Sequence, residues 1–77
     1  MAKFNTAKAK ETLITAETGT NINLDQEIGW LIHLAKSEGM EAMQALHSIL
    51  MERSKKATNA TQKPIYKNRM HELEDMA

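Results

Sequence analysis

LDQEIGWLIHLAKSEG, residues 24–39, followed without interruption by MEAMQALHSILMERSKK, residues 40–56, decides the fold class of this chain. In the first run Leu24, Ile28, Leu31, Ile32 and Ala35 recur at the 3–4-residue spacing that puts them on one side of a helix. Trp30 and Leu34 widen that stripe to about 200° of the circumference, taking about 100° per residue. A helix packed on one neighbour needs about half as much, so this helix is expected to touch two surfaces. Asn23 reads as its N-cap, with Gln26 three residues on as in a capping box.

The second run is made of Ala, Met, Leu, Glu and Gln, all strong helix formers. Its apolar arc (Met40, Met43, Leu46, Ile49, Leu50, Met51) is wider still, and Glu41, Gln44, Ser48 and Glu52 share one narrow polar face. Arg53, Lys55 and Lys56 fall in the last turn, where the macrodipole favours cations. Gly39 separates the two runs. It either closes the first helix as a left-handed residue or sits inside one long helix, at a cost of about 1 kcal/mol relative to Ala; the spacing favours a break.

Working outward, Pro64 suits the first residue of a further helix, with Ile65, Tyr66, Met70, Leu73 and Met76 as its stripe. Its charges run against the helix dipole: Lys63 and Lys67 stand at the start, Glu72, Glu74 and Asp75 at the end. Such a segment needs docking to stay helical. Residues 1–22 are an N-terminal arm or a short helix. Asn5 or Thr6 could cap a helix that Gly19 closes, while the Thr- and Ile-rich TLITAET favours extension. The expected architecture is all-α: a single domain over 1–77, a small bundle of two or three helices (24–37, 40–56, 64–76) with a short N-terminal helix left open and a connector at 57–63, completed by oligomerisation. Wide arcs left bare would exceed the apolar patch that soluble monomers show.

The chain has 77 residues and no Cys, with ten basic and ten acidic side chains. A domain this small buries only about 60% of its unfolded surface, which again favours self-association. No apolar run has the length of a signal peptide or a membrane span, so a cytoplasmic protein without membrane contact is expected. Asn59-Ala60-Thr61 then reads as ordinary loop composition. The charge is segregated: residues 17–52 carry a net −5, and residues 53–69 hold six of the ten basic side chains and no acid.

That basic strip is the candidate anion site. Arg53, Lys56, Lys63, Tyr66, Lys67 and Arg69 could neutralise the phosphates of a nucleotide or nucleic acid, Tyr66 stacking on a base. The candidate protein interface is Trp30, Leu34, Met43, Leu46, His47, Leu50 and Met51, a Met-rich surface able to adapt to a partner. Met43, His47 and Met51 lie at i, i+4 and i+8, donors that copper(I) accepts, but the expected role is packing, with no metal and no cofactor. His33, Ser37 and Glu38 lie within one turn, yet nothing supplies an activated nucleophile or an oxyanion site. Residues 34–50 resemble a helix-turn-helix at Leu34, Ala35, Gly39 and Met40. They depart from it at Glu38 and Ser48, and the would-be reading helix is acidic. The reading is therefore a non-enzymatic oligomeric binding or inhibitor module whose partners are itself and another protein, with phosphate binding through 53–69 as the alternative.

Overall fold

The computed structural model describes residues 4–76, and the side chains of residues 4–75. The side chain of the stripe residue Met76 and the first three residues of the N-terminal segment are therefore outside what is described. Among the described residues four helices follow one another: α1 (Thr6–Glu17), α2 (Asn21–Glu38), α3 (Met40–Lys56) and α4 (Gln62–Met76). Three of them are the helices of the expected bundle, and the fourth is the N-terminal segment, which takes the short-helix alternative over three turns and not that of an arm.

Local signals explain the extra helix. Asn5 is its N-cap, its side chain accepting from the Lys8 N–H at 3.0 Å, and the Gly19 N–H closes the other end on the Ala16 carbonyl at 3.0 Å. Ala9, Leu13 and Ala16 form its buried edge. α2 starts earlier than Asn23. Its N-cap is Thr20, whose hydroxyl accepts from the Asn23 N–H at 3.1 Å. One turn of exposed residues, Asn21, Ile22 and Asn23, thus joins the helix on the strength of its cap, not of its apolar pattern. Pro64 is the third residue of α4, not the first, because the turn that enters the helix starts at Asn59: its side chain accepts from the Thr61 N–H at 2.8 Å and its carbonyl from the Gln62 N–H at 3.1 Å.

Gly39 alone joins α2 to α3. It ends α2 by donating to the Ala35 carbonyl and starts α3 by accepting from Met43. Its φ of 117° and ψ of −173° are not those of the left-handed helical residue expected, but of an extended positive-φ region essentially reserved for glycine. This conformation reverses the chain in a single residue.

α2 and α3 form the centre. They pack against each other, and α1 and α4 each pack against both. The narrow stripe of α2 is thus absorbed by its neighbours, while Trp30, which widens the arc, stays exposed. Leu24, Ile28, Leu31, Ile32 and Ala35 are buried, together with Leu13, Leu46, Leu50, Tyr66 and Leu73. Among the described residues no helix is long and apolar enough to cross a membrane.

Candidate functional site

The basic strip divides into cations used inside the fold and cations left on its surface. Arg53 donates twice to Glu17, at the last turn of α1, from Nε to Oε2 at 3.0 Å and from Nη2 to Oε1 at 2.5 Å. The Tyr66 hydroxyl donates to the same Oε2, and Gln62 Nε2 donates to the Glu17 carbonyl at 3.0 Å. One carboxylate thereby ties α1 to α3 and α4. The Arg53 and Glu17 side chains retain 14% and 16% of their exposure, and Tyr66 retains none. Its ring has no face open for stacking on a base.

The electrostatics follow from this arrangement. Burial pushes the Glu17 carboxyl up, but hydrogen bonds from Arg53 and Tyr66 and the Arg53 charge outweigh it and hold the group below the ordinary carboxylate value. Burial, then the hydrogen bond to Glu17 and its negative charge, push the Tyr66 phenol well above its ordinary value. The hydrogen bond to Glu17 raises Arg53.

Arg69 is used in the same way. It forks onto Asp25 of α2 at 2.9 and 3.2 Å and reaches Glu72 at 2.9 Å. Its guanidinium lies against Gly29, where an added Cβ would stand 3.0 Å from Nη2. A glycine in mid-helix thus has a packing reason. Lys56 makes a 3.9 Å pair with Glu52, which Lys10 holds at 2.6 Å. Lys55, Lys63 and Lys67 are exposed and make no ion pair with another described residue.

The candidate interface residues separate as well. Leu46 and Leu50 are fully buried in the core, and Met43 packs against it. His47 is half-buried, its Nε2 3.0 Å from Glu74 of α4. Met51 remains 42% exposed and Trp30 57%. The Trp30 ring stacks on His33, centroids 5.6 Å apart, and stands beside a groove of about 620 Å³ between α1 and α2. Phe4, Ala9, Leu31 and Leu34 give this groove its apolar floor, and Glu27, Glu38 and Lys8 stand along it. Glu38 also accepts from the Phe4 N–H at 3.3 Å.

His33, Ser37 and Glu38 do not act on one another: the Ser37 hydroxyl donates to the Leu34 carbonyl at 2.7 Å, His33 stacks on Trp30 and Glu38 holds the Phe4 backbone. Among the described residues, no three His, Cys, Asp or Glu side chains gather as metal ligands would. Sequence reasoning missed Phe4 as a groove residue and Glu17 as the centre of the polar node. The one available signal for Glu17 was its place in the last turn of a helix, where an acid needs compensation. Comparison with protein-family models, with curated proteins and with solved structures finds no match to this chain.

Proposed function

We propose that this chain is a non-enzymatic binding module that acts through protein–protein contacts, and that its contact surface is the α1–α2 groove around Trp30. The supporting observation is the position of the single indole. Leu46, Leu50 and the α2 stripe find partners inside the bundle, while Trp30 stays more than half exposed over an apolar groove. A large amphipathic ring at the edge of an apolar recess is the anchor that protein interfaces favour. Phosphate binding through 53–69 has weaker support, since Arg53, Tyr66 and Arg69 are engaged by Glu17 and Asp25, and of its cations only Lys55, Lys63 and Lys67 make no ion pair with another described residue.

A random peptide library selected on the wild-type chain, with excess Trp30→Ala chain as soluble competitor, tests the reading. Peptides that bind wild type and shift its Trp emission to the blue, but fail on the variant, are expected. Enriched peptides that bind both chains equally would place the binding surface elsewhere.

A further inference from the structure

Once the internal ion pairs are assigned, most of the remaining charges have a direction. Glu11, Glu27, Glu38, Glu41 and Asp75 make no ion pair with another described residue, and neither do Lys8, Lys36, Lys55, Lys63 and Lys67; Lys36, in the last turn of α2, is the one such cation beside Glu38 and Glu41. Glu38, Glu41 and Asp75 lie where α2 ends, α3 begins and α4 ends; Lys55, Lys63 and Lys67 lie where α3 ends and α4 begins. The two poles are separated by the length of α3, about 26 Å at 1.5 Å per residue.

The two poles also meet different sides of the bundle. On α4, Lys63, Lys67, Met70 and Glu74 recur at i, i+4, i+7 and i+11 and share one side. Glu74 bonds His47 of α3, so this side is turned towards α3. Arg69 bonds Asp25, so the other flank of α4 is turned towards α2. Met51 and Lys55, one turn apart on α3, join the first side. It presents a 42% exposed methionine with three exposed lysines. The Trp30 groove lies between α1 and α2; since α2 and α3 stand between α1 and α4, the α1–α2 edge and the α3–α4 edge are on opposite sides of the bundle.

These surfaces are complementary. The groove offers Trp30, Phe4 and Leu34 with the carboxylates of Glu27 and Glu38, against one cation, Lys8. An ammonium is attracted to an indole face and to carboxylates, its alkyl stem covers apolar floor, and a thioether packs well on aromatic rings. We infer that the occupant of the Trp30 groove is the α3–α4 face of a second copy of this chain, with Lys63, Lys67 and Met51 of one copy docking between Glu27 and Glu38 of the next. The inference rests on the groove being the contact surface, and adds what fills it. Because groove and lysine face lie on opposite sides, the contact is head to tail, and each added copy leaves one groove and one lysine face open.

Two full-length variants test this: Trp30→Ala, and the double change Lys63→Glu/Lys67→Glu. Neither touches the core, and the acids at the start of α4 suit its dipole better than the lysines do. By light scattering in low salt, the wild type is expected to grow with concentration beyond two protomers and to shrink in high salt. Each variant alone should associate roughly tenfold or more weakly. Mixed one to one, the intact groove of one and the intact lysine face of the other should restore a heterodimer that grows no further. A wild type that stays monomeric, a mixture that stays monomeric, or a variant that assembles like wild type would overturn the inference. Trp30-dependent peptide binding by a monomeric wild type would overturn it while leaving the groove reading intact; peptides indifferent to Trp30 would remove both.

Discussion

Replacing Glu17 by Ala removes the acceptor that three helices share. Arg53 loses two hydrogen bonds, at 3.0 and 2.5 Å, with its side chain 14% exposed. The Tyr66 hydroxyl, on a residue with no exposure, loses its acceptor. Each buried polar group left unsatisfied costs about 1–3 kcal/mol. Arg53 can regain some hydration, which places the total near the lower half of that combined range, about 3 kcal/mol. Domains of this length have roughly 4–12 kcal/mol in all, so the loss is a large share of the whole. It corresponds to a fall in melting temperature of roughly 12–24 °C. Urea and thermal melts followed by far-ultraviolet circular dichroism measure it. A loss under about 1 kcal/mol, the worth of an ordinary surface ion pair, would refute the claim that the node locks α1 to α3 and α4. A triple variant, Glu17→Ala with Arg53→Met and Tyr66→Phe, should recover much of the loss, because no buried polar group is then left without a partner.

Three further outcomes follow from the same structure. Gly39→Ala should cost about 1–3 kcal/mol in urea, since nothing lies within 4 Å of the new methyl and the penalty is that of the positive φ alone; an unchanged midpoint would contradict the single-residue turn. Glu17 titrates below its ordinary value of 4.5 in the folded chain, so its contribution is present above that value and is lost as pH falls through the folded one. Wild-type stability should therefore drop on acidification below about 4.5, where Glu17→Gln, already lowered, should change less. Tyr66, the single tyrosine, should show no tyrosinate absorbance near pH 10, where a free phenol is half ionised. Its folded-state value is raised, so that part of the stability holds below the free value and is lost as pH rises through the folded one; an ordinary titration would contradict its burial.

The parts of this fold that were legible in the sequence are those with a local period. Leu24, Ile28, Leu31, Ile32 and Ala35 repeat at helical spacing and all five are buried. α3 runs over 40–56 as its composition indicates, with its basic residues in the last turn. α4 was readable as a helix needing support, and Tyr66 and Leu73 supply the buried contacts that its reversed charges require. The start of α2 was not legible, because Thr20 and Asn23 both carry capping chemistry and only the tertiary course of the chain chooses between them. The polar node was invisible for a different reason. Glu17 finds Arg53 36 residues away and Tyr66 49 residues away, and no periodicity records a pairing at that range. The same long-range pairing divides the basic strip: composition alone makes Arg53 and Lys63 equivalent, and only the fold separates a cation locked under α1 from one left in solvent.

The functional reading depends on one side chain standing open at the surface, and that chain's single Trp makes it directly observable. Emission and acrylamide quenching of Trp30 should be recorded from high dilution upward, in low and in high salt. At high dilution the red, readily quenched emission of an exposed indole is expected, moving to the blue and becoming protected as concentration rises in low salt, with high salt reversing the change. Emission already blue and protected at the highest dilution would contradict the open groove, and emission that stays red and quenchable at every concentration would contradict its filling by a second copy.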